Sequence, residues 1–121
     1  MTSSFFTQIG RDIDGEAEFN YSGTSVSLSS DGSVVAIGAT GNNGNGSNSG
    51  HVRIYQNFNG NWLQLGNDID GEAADDYSGG SVSLSADGSV VAIGATSNDG
   101  NGSNSGHVRI YQNVNGTWLQ L

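Results

Sequence analysis

Asp68-Ile69-Asp70-Gly71-Glu72, with Asp75 and Asp76 close behind, is the strongest candidate for chemistry in this 121-residue chain. Alternating carboxylates around a glycine offer hard oxygen ligands that a turning loop can gather, which suits Ca2+. Asp12, Asp14 and Glu16 repeat the first part of the pattern, but Phe19 and Asn20 replace the later Asp75 and Asp76. The spacing is not that of an EF-hand, so a solvated acidic connection is the competing reading. A second group is His51 with Arg53, repeated as His107 with Arg109. In a strand each pair shares one side, beside Tyr55 and Tyr111. Such a patch would bind a polar ligand such as a sugar. The structural alternative, favoured here, is that each arginine pairs with an acid of its own or a neighbouring repeat, since buried arginines are nearly always paired.

The chain has no cysteine nucleophile, no lysine and no histidine cluster for a metal. Its paired carboxylates lie in Gly-rich connections, where little desolvation would tune one pKa against another. A non-enzymatic protein is therefore expected. The net charge of −9 makes nucleic acid and anionic membranes poor partners, because both need clustered Lys/Arg. It also keeps a Gly/Asn/Ser-rich surface soluble. No apolar run approaches the length of a membrane span. The opening MTSSFFTQIG lacks the basic and apolar segments of a signal peptide, which leaves the localisation of any parent protein open. Four glycosylation sequons, at Asn20, Asn45, Asn101 and Asn115, are expected by chance in this composition.

These residues are placed by a repeat. Residues 10–65 and 66–121 are one 56-residue unit written twice, differing only at positions 11, 18, 19, 20, 24, 30, 41, 43, 58 and 61 of the first copy. Residues 1–9 precede both. A repeat of this length implies a supersecondary unit that buries its core against copies of itself. With 34% hydrophobic residues and 20 glycines, the core of one copy is thin.

Ser25-Val26-Ser27-Leu28-Ser29 alternates polar and apolar, as a strand does. Asp31-Gly32 then supplies the positive φ angles of a tight hairpin. Val34 to Ala39 is apolar on both faces, as in a strand sandwiched between layers. Thr40 to Gly50 reads as a loop, His51 to Gln56 as a third strand, Asn59-Gly60 as a hairpin turn and Trp62 to Leu65 as a fourth strand. Nothing has helical periodicity. Four short antiparallel strands with one Trp per unit describe a propeller blade. A β-solenoid is the rival, but its coils are usually shorter and lack such paired hairpins.

In a meander, alternate connections emerge on the same side. Ten of the 12 acids therefore share one face: Asp12, Asp14, Glu16, Glu18, Asp68, Asp70, Glu72, Asp75, Asp76 and Asp99.

The stretch YSGTSVSLSSDGSVVAIGAT, repeated as YSGGSVSLSADGSVVAIGAT, resembles the FG-GAP repeat of integrin-α-type propellers. Tyr21-Ser22-Gly23 and Tyr77-Ser78-Gly79 stand where that family has Phe-Gly, and Gly38-Ala39-Thr40 and Gly94-Ala95-Thr96 where it has Gly-Ala-Pro. GHVRIYQN is similar to its third strand, and SLSADGSVVAIG also resembles WD-repeat blades. The resemblance implies a secreted or cell-surface setting. It also implies a calcium loop between the first two strands of a blade, but here that link is only Ser-Asp-Gly-Ser, too poor in oxygens for calcium.

The expected fold is all-β, with two four-stranded antiparallel propeller blades per chain. Oligomerisation would complete the ring, since closure removes exposed edges. A trimer would give six blades and a tetramer eight. Phe6-Thr7-Gln8-Ile9 aligns with Trp62-Leu63-Gln64-Leu65, so residues 1–9 are expected to hold an extra fourth strand that completes a neighbouring chain's last blade. Phe6, Ile9, Trp62 and Trp118 are then the assembly residues, although each Trp also suits core packing. The expected function is a self-assembling scaffold that presents an acidic loop face for interaction or adhesion with a protein partner. A lectin-like propeller binding glycan once per blade is the alternative. Copies this alike would also suit an engineered or excised fragment.

Overall fold

The structure is a computed structural model that describes residues 6–121. The described residues contain no helix, and so none long and apolar enough to cross a membrane. Two antiparallel meanders follow one another along the chain. The first comprises β1 (Ser22–Leu28), β2 (Val34–Ala39), β3 (His51–Phe58) and β4 (Asn61–Gln64). β5 (Ile69–Asp70) then begins the second repeat, which continues through β6 (Ser81–Leu84), β7 (Val90–Ala95), β8 (His107–Val114) and β9 (Thr117–Gln120). The second meander has the order β6-β7-β8-β9. Both sheets are built as propeller blades are.

Each hairpin follows from its turn residues. Asn59 and Gly60 both have positive φ, as do Asn115 and Gly116, which is the two-residue turn that Asn-Gly favours. At the first hairpin the expectation is corrected. Gly32 takes positive φ but Asp31 does not. The amide of Gly32 donates to the Ser29 carbonyl, and Asp31 Oδ1 accepts from the Ser33 amide and hydroxyl. The link is a longer turn closed by the aspartate, a common hairpin solution.

β1 starts at Ser22, earlier than expected, with a register irregularity between Ser22 and Ser25. β5 was not expected at all. It pairs antiparallel with β3, Val52 opposite Ile69 and His51 opposite Asp70, along the edge that β4 has left. The expected strand in residues 1–9 falls partly outside the described residues. Phe6 to Ile9 belong to neither sheet of this chain.

The core lies between the two sheets. Val34, Ala36, Val52 and Ile54 of the first face Val91, Ile93 and Trp118 of the second, with Ile69 among them. β1 and β6 lie side by side at this contact: Ser25 Oγ donates to the Gly79 carbonyl, and the Leu84 amide donates to Ser27 Oγ. Gly79 is required here. A Cβ would fall 2.8 Å from the His51 carbonyl oxygen and 3.1 Å from the Gly38 Cα, and its φ is +94°.

Candidate functional site

The chemistry-bearing residues gather where β3 meets the connection into the next repeat. Because β5 pairs with the start of β3, it carries Asp68 and Asp70 to His51 and Arg53. Arg53 Nε donates to Asp68 Oδ1 at 2.8 Å and Nη2 to Asp68 Oδ2 at 3.0 Å, a two-pronged pair. Nη2 also donates to Glu16 Oε2 at 2.7 Å. One guanidinium therefore joins the connection before its blade to the connection after it. Hydrogen bonding to Arg53 holds the Asp68 carboxyl below its ordinary range. Glu16 is lowered in the same sense, first by the Asn42 amide and then by Arg53.

His51 is buried at 4% exposure, and its Nδ1 finds no hydrogen-bond partner among the described residues. It sits 3.9 Å from Asp68 Oδ2. Desolvation pushes the imidazole below its ordinary pKa, opposed only in part by the carboxylates. His51, Asp68 and Asp70 place one donor atom each within 4.8 Å of one another, the one such group among the described residues. Both Asp68 oxygens, however, already accept from Arg53, and Oδ1 also accepts from Gln64 Nε2 at 2.6 Å. A divalent cation there would have to displace a permanent cation.

The carboxylates expected to act together are divided. Glu72 pairs with Arg109 and accepts from Asn98 Nδ2. Asp76 accepts from the same Asn98 nitrogen at 2.8 Å, while Asp75 is exposed with positive φ. Asp12 accepts from Gln8, and Asp14 is exposed. The picture of a wholly solvated acidic connection is corrected at Asp76, which is only 3% exposed.

The structure also departs from the expectation of loose Gly-rich connections. Asn42 and Asn98 are buried, and each ties its loop both to the preceding acid and, through its Oδ1, to a loop amide. Sequence reasoning missed them. The available signal was an Asn held 26 residues after Glu16 and again 26 after Glu72. The Thr40–Gly50 loop is further laced to the next repeat through Asn45, which donates to the Gly71 and Glu72 carbonyls.

Each blade has a small cleft beside its arginine, lined by Glu16, His51, Arg53 and Tyr55 or by their counterparts Glu72, His107, Arg109 and Tyr111. Each has room for about one water molecule. Trp118 is buried in the interblade core, and its Nε1 donates to the Leu65 carbonyl at 2.8 Å. Trp62 is half-buried and makes the equivalent bond to the Ile9 carbonyl at 2.9 Å. Phe6 and Ile9 are largely exposed.

Two four-stranded meanders laced through their long connections make this an all-β repeat protein whose sheets are consistent with propeller blades. Residues 69–111, from β5 into β8, match the FG-GAP repeat family. The equivalent residues 13–55 differ from that segment only at positions 18, 19, 20, 24, 30, 41 and 43. No curated protein matches the chain significantly.

Proposed function

We propose that the protein is a non-enzymatic propeller scaffold whose copies join head to tail into a multi-chain ring. One observation carries this reading: the two blades present unlike open faces that match the two halves of the interface between them. On the first blade, Val26 and Leu28 are 64% and 59% exposed, whereas their equivalents Val82 and Leu84 pack against the core. On the second blade, Val108 and Ile110 are 67% and 43% exposed, whereas Val52 and Ile54 are fully buried. Burying such apolar surface is the main driving force for association. Gly23 has open space where its equivalent Gly79 is pressed against the preceding blade.

Trimers would give six blades and tetramers eight. The assembled ring would repeat the acidic connections around one face. Asp12, Asp14, Glu18, Asp70, Asp75 and Asp99 are exposed and unpaired with any arginine there, which favours a basic or cation-bearing protein partner for adhesion. A glycan reading is less well supported, because the cleft that recurs in each blade holds little more than a water molecule.

Sedimentation and native mass spectrometry, with and without calcium, test the proposal. A single species of three or four chains is expected without added metal. A monodisperse monomer across the micromolar range would overturn it.

A further inference from the structure

The second blade lacks one element that the first has, and the chain carries a spare copy of it. β5 supplies a short fifth strand to β3, with Ile69 buried and Asp68 on Arg53. β8 pairs with β7 and, from Tyr111 onward, with β9, so no strand among the described residues lies on its edge at His107–Val108. Among the described residues Arg109 correspondingly pairs with Glu72 alone, where Arg53 holds both Glu16 and Asp68. By the repeat spacing, the missing strand would have the sequence Asp-Ile-Asp-Gly-Glu. Residues 12–16 have that sequence.

Those residues are also held ready. The Trp62 bond to the Ile9 carbonyl anchors the connection before the first blade as the Trp118 bond to Leu65 anchors β5 before the second. Ile13 is half-buried, whereas Asp12 and Asp14 are exposed, and none of the three pairs with a strand among the described residues.

We propose that Asp12-Ile13-Asp14 of one copy docks as a fifth strand on β8 of the preceding copy. Ile13 lies opposite Val108, Asp14 opposite His107, and Asp12 completes the ion pair on Arg109. The partner is a second copy of this chain, and it contributes a residue to a site that is incomplete without it. Addition of a strand to an open edge gives affinity through main-chain hydrogen bonds, and the Asp12–Arg109 pair fixes the register. The same docking would place the Gly15 and Glu16 carbonyls before Asn101, as Gly71 and Glu72 lie before Asn45. The inference rests on the ring reading but specifies its joint.

The chain has no cysteine, so the joint can be tested by directed disulfides. Residues opposite each other in antiparallel strands lie within the Cα separation a disulfide tolerates. Chains carrying Ile13→Cys and chains carrying Val108→Cys are mixed and oxidised, with Val114→Cys as the control at the far end of β8. The expected product is a covalent heterodimer of the Ile13→Cys and Val108→Cys chains, with Val114→Cys giving none. The double variant I13C/V108C should give a ladder ending at the copy number of the ring. In parallel, Asp12→Asn should raise the concentration at which the assembly dissociates about tenfold, because a charge-assisted pair is lost. An assembly of normal mass that cross-links at neither pair, or equally at both, overturns the joint and leaves the ring standing. A wild-type monomer overturns both.

Discussion

Val52 and Val108 occupy the same position of the same strand in copies of one repeat, yet one is wholly buried and the other two-thirds exposed. Ala39 and Ala95, by contrast, are equally buried in both copies, as are Ile37 and Ile93 to within a few per cent. The difference shows which part of each blade is self-sufficient. Ile37 and Ile93 lie beside the connection that precedes their blade, which travels with the repeat, although Val26 and Leu28 on the same side stay exposed where no blade precedes. The other side is covered only by the repeat that follows. Near-identical sequence therefore gives the same four-stranded meander in both copies but not the same burial, and the unlike residues mark where a neighbour belongs.

The sharpest way to test this comparison is to remove the same side chain from both blades. Ile54→Ala should cost about 2–5 kcal/mol, the range for a cavity opened in a packed core. Ile110→Ala, read by urea unfolding at dilution below any assembly, should cost less than about 1 kcal/mol. Equal losses under those conditions would mean that the second blade's open side is covered within the chain.

A second comparison concerns the buried asparagines. Asn98 stands between Glu72 and Asp76, and Asp76 has no arginine. Asn98→Ala would leave that carboxylate buried without its amide, at a cost of about 1–3 kcal/mol. In the first copy Asn20 replaces Asp76, and Glu16 keeps Arg53. Asn42→Ala should then cost less, about 1 kcal/mol. Thermal unfolding of the two variants ranks them, and the reverse order would break the account of how these loops are held.

The contrast between repeats also explains what could be read in advance. The eight long strands were legible because alternation at Val26 and Leu28, the apolar run from Val34 and the Asn59-Gly60 turn are local signals. The arginine pairing was legible as chemistry, since each strand offers one arginine near many acids. β5 was not, because Ile69-Asp70 before a glycine looks like a loop until β3 presents an open edge. The burial of Asp76 was equally hidden, since its partner Asn98 is 22 residues away. Nor does sequence announce positive φ at Tyr21 and Tyr77, a conformation uncommon for aromatic residues and repeated in both copies.

Exchange of the arginines should have a smaller effect. Arg53→Met leaves Glu16 and Asp68 facing each other without their cation, while Arg109→Met frees Glu72 alone. Both sites are partly exposed, so solvent screening limits the losses to about 1 kcal/mol for the first and about 0.5 kcal/mol for the second. Chemical denaturation of the two variants at low salt measures the gap, and added salt should narrow it. A larger loss at Arg109 would contradict the two-sided clamp on Arg53.

The smallest expected effect is on pH dependence, and it separates the two histidine positions. Burial lowers the folded pKa of His51 below its ordinary 6.5, so between those two values the unfolded chain binds more protons than the folded one. Stability should therefore be full above pH 6.5 and decline as pH falls through that window. Asp68 is shifted in the same direction by Arg53 from an ordinary 3.8. Its contribution is present above 3.8 and is lost only below it, as the folded form takes up its proton. Two separate declines on acidification follow. His51→Gln should remove the upper decline and leave the lower one, whereas His107→Gln, at the half-buried counterpart, leaves His51 in place and should keep both. Unfolding free energies measured from pH 8 to pH 3 on the three proteins decide it. Persistence of the upper decline in His51→Gln would show that a group other than the buried imidazole controls it.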